Sequence, residues 1–316
     1  MDWLPKLVSV ARKGFDSPEF THSDEDQVNH NSTETQLDAA RALEHVRAAI
    51  GEEQSRLLSD TFLLKCLVYQ QWDVKTAVST ATGFLDFRLA SKWPLRIPGQ
   101  DVKPALCSGL QWLLWQRAGS RIDQQLNAED SHWSDGSTSS DGGPAACLVF
   151  NMASLNPDLC SIEQYQKASL FLMESATDHS EVQERGIALI VDFRGVQFSR
   201  LAKTMGIDDI KRGMRCWIGS FPCRMRRIWL LGAPSAIRLL VRGVVQTLSP
   251  KVRKRIRMAD GRTGLKELAA DLSPCIDLPE CLGGTNSSFD WTDAINSYLV
   301  QNDKVSETQG DLLAAV

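Results

Sequence analysis

The chain has 316 residues, of which 43% are hydrophobic and 23% charged, with a net charge of −4. These are ordinary values for a globular protein, so they predict a large core in one domain with a smaller helical attachment, or in two modest domains. No stretch approaches the roughly 20 apolar residues that cross a bilayer, which excludes a membrane-spanning helix.

The charge is small overall but unevenly distributed. Residues 211–262 contain 14 Lys or Arg and a single acid, Asp260. The rest of the chain holds 21 basic and 38 acidic residues. Such a basic segment indicates an anionic partner, and both nucleic acid and an anionic membrane are candidates at this point.

The N-terminal half is predicted to be helical. Residues 1–33 are mostly polar and are expected to be disordered or to form one short amphipathic helix. Residues 34–118 form an N-terminal helical subdomain, in which Ser59 is placed to cap one helix and Trp72-Asp73-Val74 opens another. A further helix is expected from about Pro104 to Gln116.

A connection over residues 119–144 separates the two halves. Asn127 to Pro144 is rich in Ser, Gly and Asp, which predicts a mobile loop. It includes serine, histidine and aspartate, but a loop of this kind cannot hold a catalytic triad rigidly. The eight cysteines lack zinc or redox spacing, and no histidine lies beyond His179. We therefore expect no catalytic residue, no metal site, no cofactor and no enzymatic activity.

The segment 145–300 has the pattern of an α/β domain, followed by a tail over 301–316. Apolar strands are predicted near 146–152, 186–192 and 226–232. Helices are predicted from Ser161 to about Glu184, from about Asp208 to Gly219 and over 235–248. Continuous apolar strands that alternate with helices indicate a mostly parallel, buried sheet. Asp192 ends one of these strands, and the favoured interpretation is a structural carboxylate satisfied by nearby backbone donors.

One motif in this segment is specific. Phe221-Pro222-Cys223-Arg224 through Gly232-Ala233-Pro234 resembles the signature of CRAL-TRIO lipid-transfer proteins. Leu248-Ser249-Pro250-Lys251, Leu278-Pro279-Glu280 and Asp192-Phe193-Arg194-Gly195 continue the likeness. The similarity extends over about residues 35–300, and it is greatest to the branch of alpha-tocopherol transfer protein and cellular retinaldehyde-binding protein.

The resemblance implies the CRAL-TRIO fold, in which a sheet floor, helical walls and a mobile lid helix, here about Ala233 to Arg255, enclose one hydrophobic lipid. The floor is expected from alternating positions of two strands, and the position of Ser169 is similar to one that approaches the polar head of the ligand. The ligand-binding residues that we predict are Ser169, Met173, Ile187, Leu189, Val191, Phe198, Trp217, Phe221, Met225, Ile228, Leu230, Ile237, Leu240, Val241, Val244 and Leu248.

The same resemblance implies a basic cleft that binds phosphoinositide headgroups. The matching positions are Lys65, Arg224, Arg226, Lys251 and Arg255. Several converging cations suit a multivalent phosphate, because Arg can contact two phosphate oxygens at once. The sequence departs from the family at Val68 and Gln70, where a second basic pair is usual.

The function expected from these features is intracellular lipid transfer. A cytoplasmic monomer would carry a tocopherol- or retinoid-like ligand and associate transiently with phosphoinositide-containing membranes. The start Met1 to Pro5 has no secretory signal pattern, which agrees with this location. An alternative is a non-transporting CRAL-TRIO interaction module that regulates a small GTPase or membrane trafficking. Nucleic acid is disfavoured as a partner, because the basic segment lacks exposed interleaved aromatic residues.

Overall fold

The computed structural model describes residues 32–116, 143–196, 209, 221–235, 237–239, 242 and 250–300. The N-terminal helices are α1 (Ser32–Ile50), α2 (Glu52–Arg56), α3 (Asp60–Tyr69), α4 (Val74–Ser91) and α5 (Gly99–Cys107). Helices α1, α3 and α4 pack against one another around the buried side chains of Val46, Leu63 and Ala77. The predicted helical character of this part of the chain is confirmed.

The predicted helix starts at Ser59 and Asp73 are confirmed. The Ser59 hydroxyl accepts a hydrogen bond from the Phe62 amide at 3.2 Å, and the Asp73 carboxylate accepts one from the Thr76 amide at 3.0 Å. Each bond satisfies one of the amides that a helix leaves unpaired in its first turn. Because these caps are local, they could be read from the sequence.

The predicted helix from Pro104 to Gln116 is wrong. Helix α5 ends at Cys107, Gly109 adopts a left-handed φ of 71°, and Gln111–Trp115 forms strand β1. Leu113 lies opposite Leu148 in an antiparallel pairing with the next strand. An apolar run of this length fits a helix or a strand, and the tertiary pairing decided for the strand.

Five strands form one sheet in the order β1-β2-β3-β4-β5. The strands after β1 are β2 (Ala146–Asn151), β3 (Ile187–Asp192), β4 (Met225–Leu231) and β5 (Ile256–Ala259). All pairs from β2 onward are parallel. The prediction of a mostly parallel sheet is therefore confirmed.

Further helices and two 3₁₀ turns complete the described part of the chain. They are α6 (Ile162–Thr177), α7 (Ser180–Arg185), α8 (Pro250–Arg255), α9 (Gly261–Leu272), a helix over 291–300, and the turns Met152–Ser154 and Glu280–Leu282. The single helix predicted from Ser161 to about Glu184 is instead two helices, α6 and α7. Ser161 and Gln164 cap α6 reciprocally.

The two faces of the sheet belong to two apolar clusters. Ile187 on one face joins a cluster with side chains of α3 to α7, whereas Ala188 and Ile190 on the other face pack with Leu268 and Leu272 of α9. This division follows the period of two of a β-strand, which turns successive side chains to opposite faces.

Several predicted segments lie outside the described residues. They are the N-terminal segment before residue 32, the loop from Asn127 up to residue 142, the helix from about Asp208 to Gly219, and most of the helix over 235–248. Within the described ranges, no helix has both the length and the apolar character needed to cross a membrane.

Candidate functional site

The predicted floor residues share one face of the sheet. In the parallel pairing of β3 with β4, Leu189 lies beside Ile228 and Val191 lies beside Leu230. All four side chains belong to or pack against the apolar cluster that the helices cover. The structure thus places them together.

Burial differs between the two faces of these central strands. Ala188 and Ile190, which face α9, are 0% exposed. On the opposite face, Leu189, Val191 and Ile228 are only partly buried. Central strands of a parallel sheet are ordinarily covered on both faces. The partial exposure of these apolar side chains therefore marks incomplete packing over the predicted floor.

Strand β2 extends this floor, although the sequence reasoning did not include it. Leu148 lies beside Leu189, and Phe150 lies beside Val191. Phe150 is partly buried and packs against the same cluster. The alternation Leu148, Phe150 along an apolar strand was the available signal, because it has the same period of two as Leu189 and Val191.

The predicted walls are described only in part. Phe221 is 4% exposed, and its ring centroid lies 6.3 Å from that of Phe84. Met173 is 1% exposed on α6, while Met225 and Ile237 are partly buried against the same cluster. The predicted ligand contacts that lie outside the described residues are Phe198, Trp217, Leu240, Val241, Val244 and Leu248.

Ser169 lies in a buried polar contact beside β1. Its hydroxyl oxygen is 2.7 Å from Gln111 Oε1 and 2.9 Å from the Tyr165 carbonyl oxygen. Gln111 also donates through Nε2 to that carbonyl at 2.7 Å. The hydroxyl that we predict near a ligand head thus has protein partners within hydrogen-bond distance.

The structure brings three of the predicted basic residues to the amino-terminal end of β4. Arg224 and Arg226 each donate to the Glu184 carbonyl, at 3.3 and 3.5 Å. Arg255, at the end of α8, donates to the Met225 carbonyl at 3.3 Å. Arg224 also donates to the Val68 carbonyl at 3.0 Å, which ties this cluster to α3.

Lys65 lies near the same cluster but is buried. Its Nζ is 2.6 Å from the Asp178 carboxylate and 3.5 Å from the Thr177 hydroxyl oxygen. Cys223 is buried near Lys65 and Arg224, and burial raises the pKa of its thiol to about 12 although both cations lower it. Lys251 belongs to α8, and its side chain lies outside the described residues.

The departures at Val68 and Gln70 are integrated into the helical part. Gln70 is 4% exposed and donates through Nε2 to the Thr80 hydroxyl at 2.8 Å. At position 70, where the resemblance implies a basic side chain, this chain has the buried amide of Gln70, which is bonded to Thr80 on α4.

Asp192 has the structural role expected for it. Its carboxylate accepts a hydrogen bond from the Arg194 amide at 2.9 Å, and the Arg194 guanidinium donates to both carboxylate oxygens. Among the described residues, no group of three or more His, Cys, Asp or Glu side chains could hold a metal ion.

Comparison with protein families identifies the sheet part of the chain. Residues 139–284 match the model of the CRAL/TRIO domain. This match covers slightly less than half of the chain. The domain match includes β2 to β5 and Arg224, Arg226 and Arg255, whereas β1 and Lys65 precede it. It supports the family indicated by the Phe221–Pro234 motif, and the fold is of the α/β class, with a five-stranded sheet and flanking helices.

The curated relatives align with this chain over a stretch of about the length of one domain. The chain is 28% identical over 140 residues to tyrosine-protein phosphatase non-receptor type 9 of Mus musculus, which is 44% of this chain and 22% of the phosphatase. The chain is also 28% identical over 118 residues to the Homo sapiens phosphatase, which is 37% of this chain and 18% of the phosphatase. The chain thus spans about a fifth of the length of the curated relatives that it matches.

A solved structure described as the crystal structure of Sfh5 is also similar. It shares 14% sequence identity, with a TM-score of 0.47, over 89% of this chain and 100% of that one.

Proposed function

We propose that the CRAL/TRIO domain encloses one hydrophobic ligand, tocopherol- or retinoid-like, and exchanges it at phosphoinositide-containing membranes. The observation that carries the proposal is the partial exposure of Leu189, Val191 and Ile228 at the centre of the sheet, opposite a face that is fully packed. Apolar side chains in this position are compatible with a ligand that completes the packing.

The chemistry of this face suits a lipid. The described side chains on the floor are aliphatic or aromatic, and the nearest polar pair named above, Ser169 and Gln111, is satisfied internally. If a lipid of roughly 400–600 Å² is enclosed, burial at about 25 cal/mol per Å² favours the bound state by roughly 10–15 kcal/mol before ordering costs. Spontaneous release would then be slow, and a trigger at the membrane is needed.

The basic cluster supplies a candidate trigger. Arg224, Arg226 and Arg255 converge at one end of β4, beside α8 and therefore beside the segment proposed as the lid. Guanidinium groups bind phosphate oxygens through charge-assisted hydrogen bonds. We include Lys65 and Lys251 in the proposed headgroup site on the resemblance alone.

The proposal involves no covalent step. The phosphatases that the chain resembles align over about a fifth of their own length, so their printed activity is not carried over. The protein is proposed as a carrier whose work is binding, enclosure and release.

Native mass spectrometry of the purified full chain, followed by lipid analysis, tests the proposal. We expect one lipid per protein, either co-purified or taken up from offered tocopherol, retinoid or phospholipid vesicles. Absence of an adduct with every lipid offered, from a protein that unfolds cooperatively, would overturn it.

A further inference from the structure

Asp260 lies where two elements meet. It follows strand β5 and precedes helix α9, and its carboxylate pairs with the guanidinium of Arg238. Arg238 belongs to the helical residues that begin the segment predicted as the lid, of which residues 235, 237–239 and 242 are described. The ion pair therefore joins the start of this segment to the end of β5.

The same guanidinium also binds the connection that leads into the segment. Arg238 Nε donates to the Ala233 carbonyl at 2.8 Å. Just before that connection, the Gly232 amide donates to the Ala259 carbonyl at 2.9 Å. The contact between Arg238 and Asp260 thus continues the attachment of β4 to β5 beyond the ends of the strands.

Asp260 is also the residue before the first turn of α9, where an aspartate ordinarily caps the helix. Its backbone is extended, with a φ of −128° and a ψ of 148°, and its carbonyl accepts from the Gly264 amide at 3.1 Å, as that of an N-cap residue does. Within the described residues 260–264, however, the Asp260 side chain makes no capping hydrogen bond. Because the backbone already has the capping conformation, a rotation of the side chain is enough to exchange Arg238 for the helix.

The pair with Arg238 is accessible to a competing anion. Its two side chains are 38% and 50% exposed, and an ion pair with that exposure is weak. Arg242 is exposed one helical turn further along, on the same side of the helix as Arg238. Two guanidinium groups with this spacing suit a phosphate group, because each binds phosphate oxygens through charge-assisted hydrogen bonds.

The surrounding charge favours a flat anionic surface as the source of that phosphate. Strand β5 is the last strand of the described sheet, and the exposed cations along it are Arg253, Lys254 and Arg257. Arg255 of the basic cluster comes directly before this strand, and Asp260 comes directly after it. A bilayer presents many phosphates at once, so it can contact both ends of the strand together.

We propose that the Asp260 carboxylate is a two-position switch at the start of the lid. In one position it holds Arg238. When lipid phosphates of an anionic membrane bind Arg238 and Arg242, it turns to cap α9. The cap replaces part of the interaction that is lost with the ion pair, so the segment is released more easily. This inference rests on the proposed function for the lid, but the exchange of partners by Asp260 requires no bound ligand.

Exchange of the Arg262 and Thr263 amides with water, followed by NMR on the full-length protein without added lipid, tests the switch. Arg238→Gln frees the carboxylate to cap α9, so we expect at least one of these amides to exchange about fivefold more slowly, as an N-cap of ordinary strength implies. Adding Asp260→Ala should abolish the slowing. The matched control is Arg257→Gln, which removes the same charge from an exposed position of β5. Unchanged exchange in Arg238→Gln, or slowing that persists without Asp260, would overturn the proposal.

Hydrogen–deuterium exchange in the presence of vesicles tests the trigger. Phosphatidylcholine vesicles that contain a phosphoinositide should slow exchange at residues 262–263 and speed it at 237–239, whereas phosphatidylcholine alone should do neither. Shielding by the bilayer would slow both segments and would contradict the switch. An equal response to a soluble inositol phosphate would overturn the membrane as the trigger. The two proposals fail separately, because a protein that takes up no lipid refutes the carrier function and leaves the result for Arg238→Gln as it is.

Discussion

The Lys65 ammonium lies 2.6 Å from a carboxylate oxygen of Asp178, so α3 is joined to the residue that follows α6. Asp178 also pairs with Arg96 at 3.0 Å. One carboxylate thus connects α3 and the segment between α4 and α5 to the part of the chain that matches the CRAL/TRIO domain. If Lys65 also binds a headgroup phosphate, as we propose, that phosphate would compete with Asp178.

Replacing Asp178 with Asn should weaken this connection. Two cations lose their charged acceptor, and Lys65 is largely buried, so we expect the free energy of unfolding to fall by about 1–2 kcal/mol. Urea unfolding measures this change, with Asp86→Asn, at an exposed position on α4, as the matched control. An unfolding midpoint equal to that of the unmodified protein would show that the pair contributes nothing.

Replacing Glu174 with Gln should be more damaging. The Arg88 side chain is 0% exposed and pairs with Glu174, whose second oxygen accepts from the Ile97 amide at 3.3 Å. Removing the carboxylate leaves a buried, uncompensated cation, which costs about 3–5 kcal/mol. We expect Arg88→Met combined with Glu174→Leu to recover much of that loss in urea unfolding. A double variant no more stable than Glu174→Gln would contradict this explanation.

Two adjacent residues of β3 provide a test of the open floor. Leu189→Trp enlarges a side chain on the partly exposed face, whereas Ile190→Trp enlarges one that is fully buried against α9. Overpacking typically costs about 1–3 kcal/mol, so we expect a loss of that size for Ile190→Trp and a smaller loss for Leu189→Trp. Leu189→Trp should also lower lipid occupancy in native mass spectra. Equal destabilisation by the two changes would argue against open space over Leu189.

Removing two guanidinium groups tests the proposed headgroup site. Arg224→Ala combined with Arg255→Ala should weaken binding to phosphoinositide vesicles by at least about tenfold, because each charge-assisted contact contributes about 1.5–3 kcal/mol. Bound lipid should be retained. The control is Arg262→Ala with Lys266→Ala, which removes the same charge from exposed positions of α9. Vesicle sedimentation measures both variants, and equal loss in the two would indicate only nonspecific attraction.

The stability should also decrease at alkaline pH through Tyr298. Trp115 Nε1 donates to the Tyr298 hydroxyl at 2.9 Å, and that hydroxyl donates to the Leu113 carbonyl at 3.0 Å. Burial raises the pKa of Tyr298 to about 12 from an ordinary value of 10.0, so between these values the unfolded chain loses the proton first. The stabilising contribution is complete below the unfolded pKa and is lost as pH rises through the folded one.

Urea unfolding of the unmodified protein and of Tyr298→Phe measures this effect. We expect the tyrosine to account for about 1 kcal/mol of stability lost between about pH 9 and about pH 11. The variant should be less stable at neutral pH and should depend less steeply on pH over that range. Parallel pH profiles would show that Tyr298 does not titrate in this way.

Much of the local structure was predictable because its causes are local. Ser59 and Asp73 cap their helices with amides three residues away, and the apolar strands β2 to β4 carry their own signal. Strand β1 was not predictable in this way. Its assignment depends on the pairing of Leu113 with Leu148, because the short apolar run 112–114 fits a helix as well as a strand.

The amino-acid sequence by itself determined the class of fold and the mostly parallel pairing of the strands. It also contains the motif at Phe221–Pro234 that points to the family. It also placed Lys65, Arg224 and Arg255 in one proposed set as equivalent cations. Only the tertiary structure distinguished them, because it brings Asp178 to Lys65 across a separation of 113 residues and leaves Arg224 and Arg255 bonded to backbone carbonyls. The same is true of the sheet faces: alternation predicts two faces, but only packing against α9 decides which one is filled and which one is left open.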